Sequence, residues 1–340
     1  MAPHVWSNIL VALLLIGGFF AVRAVRRNRL WGEAMGEIWR RRRISVVVIA
    51  VYVAIAMLDS VAWVGGEAAG GDTVSTHEAR SIVDRAFDGT KEASYSAPLA
   101  DAEFYGGRSL GRPGTHLLGT DILGRDVLYL TLKGAKVALL IGGLTSLFMI
   151  PLALLFGVSA GYFGGRLDDA VFLIISTLSS MPNLLLLIVL IMVMGKSTLS
   201  VCIALAITGW VGFARVTRGE ALKLRELDYV AAARALGVSE LKIIVRHILP
   251  NLMHLVVITF VLMFSGLVLA EAVLSYLGIG VDGSWGQMID QARDELSREP
   301  VIWWNLSAAG MALFGLILAV NFVGDAVRDV LDPRTLKEGG

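Results

Sequence analysis

The sequence predicts an all-α integral membrane protein, and three observations carry that prediction. Mean hydropathy is +0.69. Charged residues make up 17% of the 340 positions against 56% hydrophobic ones, too little charge for a soluble domain of this length. The apolar residues also fall in long blocks rather than scattered helical stripes, as they do in chains that live in a bilayer. Net charge is +1, so no global field points to nucleic acid. Cys202 is the one cysteine. It has no internal disulfide partner and reads as a small buried hydrophobe.

A helix needs about 20 apolar residues to cross the hydrocarbon core. Seven stretches meet or approach that length: Val5–Val22, Ile44–Val64, Val137–Tyr162, Ala170–Met194, Thr198–Ala214, Leu252–Leu277 and Val301–Val323. Each is predicted helical, because an open strand in lipid leaves backbone polar groups unpaired. Pro151 and Pro182 lie inside two of them. Each removes a backbone donor, which predicts a kink covered by neighbouring helices.

Basic residues set the direction of the spans. Arg23, Arg26, Arg27, Arg29 and the run Arg40–Arg43 mark the segment after the first span as cytoplasmic. Counting onward, Gly65–Thr131 falls outside, Gly161–Asp169 inside, Gly195–Ser197 outside and Arg215–Asn251 inside. Gly278–Pro300, with Asp282, Asp290, Asp294, Glu295 and Glu299, falls outside, and the tail after Gly324 inside. The first span is followed, not preceded, by its arginines. That predicts an outside amino terminus and an anchor helix rather than a secretory signal. The stretch Arg23–Arg43 is predicted to lie along the membrane surface, with Trp31 and Trp39 at the interface.

Three loops are informative. Gly65–Gly107 is polar and rich in Gly and Ala without a clear period, which fits either disorder or a small cap. It leads into His116-Leu-Leu-Gly-Thr-Asp-Ile-Leu-Gly-Arg-Asp126, where Gly119 and Gly124 permit a tight turn and Asp121, Arg125 and Asp126 can pair locally. In Ser284–Arg293, Trp285, Met288, Ile289 and Ala292 recur at helical spacing. They predict a short amphipathic helix that either closes the mouth of a pathway or packs on the bilayer.

The third loop, Arg215–Asn251, is rich in Arg and Lys. Ala231–Leu236 are strong helix formers, and Gly237 is placed to end that helix in a left-handed conformation. Ser239 stands where a cap for the next helix belongs, with Lys242 and Arg246 one turn apart on its face. Pro250 starts the return to the membrane. Two short helices at an angle, held between two spans, are expected. Ala232 and Ala233 are small enough to let another surface approach closely.

This loop resembles that of the membrane subunit of an ABC importer. The family pattern is Glu-Ala-Ala, three residues, Gly, nine residues, Ile, one residue, Leu-Pro. Ala232, Ala233, Gly237, Leu249 and Pro250 match it, while Ala231 replaces the usual Glu and His247 the usual Ile. Tyr229-Val-x-Ala-Ala-Arg-x-Leu-Gly followed by Arg246-His-x-Leu-Pro-Asn251 is similar to the branch that imports peptides and nickel. The turn His116–Asp126 also resembles that branch. So do Leu274-Ser-Tyr-Leu-Gly-Ile-Gly280 with Ser284-Trp-Gly-Gln, and the stretch Asn321–Arg334. The similarity runs from about Ile44 to the end, apart from Gly65–Gly107, and is strongest to the C-type, or second, permease.

The resemblance implies the type I importer fold: a six-helix core with the first span added to it. Residues 1–43 would form the added helix and basic segment, 44–64 the first core span and 65–132 a periplasmic loop. Residues 133–325 would hold the rest of the core, with the coupling loop at 215–251, and 326–340 a cytoplasmic tail. It further implies a bacterial inner-membrane subunit working beside a second homologous permease. Two ATPase subunits would bind ATP and Mg, and a periplasmic binding protein would deliver cargo. The coupling residues implied are Ala232, Ala233, Gly237, Val238, Ser239, Glu240, Leu241, Leu249 and Pro250, with the short helix after Gly237 seated on one ATPase. Cargo would be peptides or peptide-like solutes, with nickel and glutathione as alternatives.

Other residues fit more modest roles. Glu271 is an acid within a span. It either faces the pathway and meets a cationic group of the cargo or is a packing acid between helices. Asp59, near a span end, is expected to snorkel or pair locally. Asn183, after Pro182, repairs freed backbone groups or lines the path, the former favoured. Asn321 and Asp325 are expected to tie the last span to the loops. His247 and His254 flank a helix start without metal-ligand spacing, and no nucleophile and base pattern marks an enzyme. The chain carries no Gly-x-x-x-x-Gly-Lys-Ser/Thr loop, so ATP chemistry would belong to a partner. An ion-driven secondary transporter would call for several intramembrane acids and paired broken helices; Glu271 alone is central.

Overall fold

The computed structural model describes residues 8, 9, 11, 12, 15–18, 23, 29–63, 79–88, 92 and 94–331. The predicted span Val5–Val22 lies largely outside them, as do much of Gly65–Gly107 and the tail beyond Leu331. Among the described residues the chain is helical apart from loops and one two-stranded ribbon.

Helix α1 covers Arg29–Arg41 and α2 covers Arg43–Ser60. Strands β1 (Ala62–Trp63) and β2 (Arg80–Ser81) pair antiparallel, Ala62 opposite Ser81, and lead into α3 (Ile82–Ala86). The long helix α4 runs Val127–Phe163, followed by α5 (Gly165–Ser180), α6 (Asn183–Met194) and α7 (Thr198–Leu224). Next come α8 (Asp228–Ala235), α9 (Glu240–Ile243), a π-helical turn at Ile244–Ile248 and α10 (Leu249–Tyr276). Helices α11 (Trp285–Glu295) and α12 (Trp304–Leu331) complete the described chain.

Among the described residues five helices are long and apolar enough to cross a membrane: α2, α4, α7, the run Glu240–Tyr276 and α12. The pair α5 and α6 makes a sixth crossing if its two arms count as one span, and they meet at 94°. The break falls at Met181 and Pro182, where proline lacks a donor and its ring forces the preceding residue out of helical geometry. Met181 indeed has an extended backbone, φ −91° and ψ 139°. Pro151, by contrast, sits inside α4 without ending it.

The chain divides into two compact units. The first holds Met1–Leu139, Ser275–Gly278 and Asp282–Val323. Here Asp59, 5% exposed, accepts hydrogen bonds from Ser81 Oγ at 2.8 Å and pairs with Lys136 at 3.3 Å. Of the two expected outcomes, snorkelling or pairing, Asp59 is buried and paired, with partners from β2 and α4. Asp84 completes a capping box with Ser81 and meets Lys133 at 2.6 Å. Burial pushes the Asp84 carboxyl up, but hydrogen bonds from Lys133, the Ser81 amide and Tyr129 outweigh it and hold it at about 2. The Asn8 amide bonds both backbone groups of Ala62, at 2.6 and 2.9 Å, fixing that residue against the start of the ribbon.

The turn at His116–Asp126 is more than a bare turn. Gly119 and Gly124 adopt φ of +74° and +71°, and Asp121 accepts from the Leu123 and Arg125 amides and from Arg125 Nε. His116 Nδ1 lies 2.9 Å from Asp126 Oδ2, with both residues buried. The other Asp126 oxygen accepts from Leu128 N, which caps the start of α4. The predicted amphipathic helix is α11, capped by Ser284. Its apolar face, with Trp285, Met288 and Ala292, is buried in protein rather than laid on lipid. Trp285 Nε1 donates to Thr131 O at 2.8 Å.

The second unit holds Leu140–Leu274, Ile279–Val281 and Gly324–Gly340. It contains the predicted coupling loop, and its packing decides what that loop can do.

Candidate functional site

The loop starts from a closely packed pair of helices. On α4, Gly157 and Gly161 sit four apart, so both face the same neighbour. A Cβ on Gly157 would lie 2.1 Å from Thr217 Oγ1 and 2.5 Å from Ala214 O, and one on Gly161 2.4 Å from Arg218 O. Helices α4 and α7 thus approach to backbone contact, as small residues spaced this way allow. Thr217 Oγ1 lies 3.3 Å from Ala153 O across that contact. Arg218 then grips Asp168 of α5, Nη2 to Oδ2 at 2.6 Å, and Arg225 Nη1 donates to Gly161 O at 3.1 Å. The Gly-x-x-x-Gly spacing at Gly157–Gly161 is present in the sequence, but it lies inside a longer apolar run with nothing local to mark it as a helix contact.

On this base α8 lies across a small hydrophobic core. Val158, Tyr162, Ala221, Val230, Ala233, Ile243, Ile244, Ile248 and Leu252 form it, with Val238 and Leu249 packed alongside. Alternation within α8 fixes which residues face in: Val230 and Ala233 are buried, whereas Ala231, Ala232 and Ala235 are exposed. Ala233 therefore packs on the core beneath α8, 8% exposed, while Ala232 stands on the outer face. An all-alanine stretch carries no hydrophobic stripe, so the sequence could not orient it.

Gly237 makes the corner. Its φ is +75°. Val238 N donates to Ala233 O at 3.1 Å and Gly237 N to Arg234 O at 3.0 Å, the paired bonds of a Schellman cap. The side-chain space around Gly237 is open, so glycine is needed there for its backbone conformation alone. Past the corner Ser239 occupies the N-cap position, but its side chain makes no capping bond. Glu240 does that end's polar work instead: it accepts from the Tyr162 hydroxyl and pairs with Arg234 at 3.3 Å. Arg234 also donates to the Tyr162 hydroxyl at 3.2 Å and lies over its ring.

The segment after Gly237 is not a separate short helix, as was expected. Helix α9 passes through the π turn into α10, and the whole run Glu240–Tyr276 behaves as one span. Leu249 N donates five residues back to Ile244 O. The wide turn lies immediately before Pro250, which cannot donate and would crowd the carbonyl four residues earlier. Only α8 is a discrete short helix between the two spans. Asn251 Nδ2 bonds Tyr229 OH at 3.2 Å and His247 O at 2.6 Å, and the Tyr229 and His247 rings lie 5.9 Å apart. His247 thus belongs to the brace between α8 and the following helix.

The exposed face left by this packing comprises Ala232, Leu236, Gly237, Ser239, Leu241, Val245 and Pro250. Leu236 and Leu241 are 82% and 72% exposed. Large apolar side chains standing free at a rigid corner suit a surface that is covered by something else.

The remaining candidates are not among the residues of this corner. Glu271 is 3% exposed in α10 and is enclosed by protein. Asn183 opens α6 and is exposed, and its side chain bonds no other described residue, so the expected backbone repair at the Pro182 break is not made. Asn321 and Asp325 are exposed too and form no tie to the described loops. Among the described residues no three His, Cys, Asp or Glu side chains gather as metal ligands do.

The profile of the family described as binding-protein-dependent transport system inner membrane component matches residues 153–337, which spans the whole corner and its base. The dipeptide transport system permease protein DppC of Bacillus subtilis is 37% identical over 226 residues, covering 64% of this chain and 69% of that protein. A putative peptide transport system permease of Brucella abortus is 40% identical over 227 residues, covering 66% and 75%. The glutathione transport system permease protein GsiD of Pectobacterium atrosepticum is 34% identical over 227 residues, covering 66% and 74%.

Proposed function

Since this chain belongs to the family of binding-protein-dependent transport system inner membrane components, we propose that it is one permease subunit of an ATP-driven importer of peptides or peptide-like solutes. One observation carries the mechanistic part: the Gly237 corner, rigidly mounted and apolar on its exposed face, lies within the matched region. The peptide permease relatives support the cargo class.

In this reading the chain splits no ATP. Two ATPase subunits, holding ATP and Mg, close on each other, and one of them moves the Gly237 corner. Helix α8 and the exposed residues Ala232, Leu236, Gly237, Ser239 and Leu241 form the seat. Val238, Glu240, Leu249 and Ala233 hold it in shape, and Pro250 belongs to the rim. Because α9 is continuous with α10, a push at Leu241 is delivered to a membrane-crossing helix without an intervening hinge. The close contact of α4 and α7 carries the same displacement into two more spans. The result is alternating access along a pathway shared with a second, homologous permease and fed by a binding protein from outside. The loop carrying Gly237 and the carboxyl end of the chain face the cytoplasm in this arrangement.

The GsiD likeness favours glutathione as a second cargo reading. Purification of the tagged chain from its native membrane should bring down a second permease and the ATPase. Uptake of labelled di- and oligopeptides should depend on the chain, with competition by glutathione deciding between cargoes. Recovery of the chain alone or as a homodimer, with uptake that survives ATP depletion, would sink the proposal.

A further inference from the structure

An open groove of about 600 Å³ lies beside the corner, lined by Ser239, Leu241, Lys242, Val245, Arg246 and Pro250. Its floor is apolar and its two charges are both positive. Four other bases of the loop pair with carboxylates, Arg218 with Asp168, Lys223 with Glu220, Arg225 with Glu226 and Arg234 with Glu240, and Arg215 donates to Ser179 Oγ at 2.6 Å. Lys242 and Arg246 are different. Neither has a carboxylate partner among the described residues, and both are exposed. They stand one turn apart, where the π turn begins, so they line one wall together. Leu241 and Val245 are 72% and 57% exposed between them.

We propose that this groove is a carboxylate-reading seat, in which Lys242 and Arg246 pair with acidic side chains on the ATPase subunit while Leu241 and Val245 are covered by its apolar surface. The inference rests on the importer reading above and adds the chemistry of the partner's face. The apolar residues supply burial that does not discriminate between partners, whereas a matched charge pair fixes orientation and rejects a surface of the wrong sign. Arginine suits a bidentate grip on a carboxylate and lysine a movable point charge. The groove adjoins Ser239 at the corner itself, so one surface can cover both.

The test uses the full chain co-purified with its partner permease and ATPase. In the wild type, ATPase retention should fall as salt rises. The double variant Lys242→Gln, Arg246→Gln should weaken retention and flatten that salt dependence. The reversal Lys242→Glu, Arg246→Glu should weaken it by at least about tenfold, since like charges then face each other. The second permease should stay bound in both variants, which establishes that the membrane part has assembled. Restored retention after reversing an acidic residue in the facing ATPase surface would support the pairing directly. Wild-type retention by the reversed variant would overturn the proposal and leave the importer reading standing. So would loss of tightly bound anionic lipid, seen by native mass spectrometry, with ATPase retained; the groove would then hold headgroups. Failure of the wild type to retain any ATPase would instead remove the importer reading on which the proposal rests.

Discussion

Arg218 holds Asp168 through both carboxylate oxygens, with Nη2 2.6 Å from Oδ2, and so locks the end of α7 to the first turn of α5. The pair is partly buried and its geometry is bidentate, which makes it stronger than a surface ion pair. Removing Arg218 leaves a carboxylate without its partner. Arg218→Ala is expected to destabilise the detergent-solubilised protein by about 1.5–3 kcal/mol. A double-mutant cycle with Asp168→Asn, followed by thermal unfolding, checks it. Additive effects of the two substitutions would show that the pair contributes little.

The contact of α4 with α7 has no room for a side chain. Gly157→Leu and Gly161→Val must push away the Thr217 hydroxyl and the Ala214 or Arg218 backbone, and both should abolish uptake while the protein still reaches the membrane. Gly219→Ala on α7 is the matched control, because nothing lies within 4 Å of its added Cβ. It should keep wild-type uptake. Equal behaviour of all three variants would contradict this account of the packing.

At Gly237 the requirement is conformational and not steric. Gly237→Asn should be tolerated best, because asparagine visits the left-handed region readily. Gly237→Ala should cost about 1–2 kcal/mol, and Gly237→Pro should also remove the bond to Arg234 O. ATPase retention and peptide uptake are expected to fall in that order at constant membrane level. If Gly237→Pro transported normally with the ATPase bound, the corner would have no coupling role.

Two acids of the first unit predict opposite pH responses. Burial holds Glu295 above its ordinary value of 4.5, reinforced by Asp121 and opposed by a hydrogen bond from Asn305. The folded state therefore favours the protonated form, and this contribution to stability is full below 4.5 and lost as pH rises through the elevated value. Glu295→Gln should remove that dependence and match or exceed the wild type at neutral pH. Asp84, held at about 2, contributes above its ordinary 3.8 and loses that contribution as pH falls toward 2. Melting temperatures of wild type, Glu295→Gln and Asp84→Asn across acid and neutral pH test both signs.

Much of this architecture was legible in the sequence because lipid imposes simple rules. Apolar length marked the core spans, proline marked the 94° break at Pro182, and one glycine marked the corner at Gly237. What stayed hidden depends on neighbours distant in sequence. Ala232 and Ala233 are chemically identical, and only the core beneath α8 distinguishes the exposed one from the buried one. The π turn at Ile244–Ile248 keeps the apolar pattern of an ordinary helix, so the continuity of α9 with α10 left no local trace. Ser239 has the chemistry of a cap, but Glu240, Tyr162 and Arg234 hold that helix start instead.

The seat of Trp285 carries a consequence for how such chains can vary. A Cβ on Gly134 would lie 2.3 Å from Trp285 Cδ1, so the indole occupies the volume that an alanine at 134 would need. The two positions, far apart in sequence, share a single allotment of space. Position 134 cannot enlarge alone: a larger residue there has to arrive with a smaller one at 285, and the Trp285 bond to Thr131 O is forfeited in the exchange. Among related permeases a residue larger than glycine at 134 should therefore occur only with a residue smaller than tryptophan at 285.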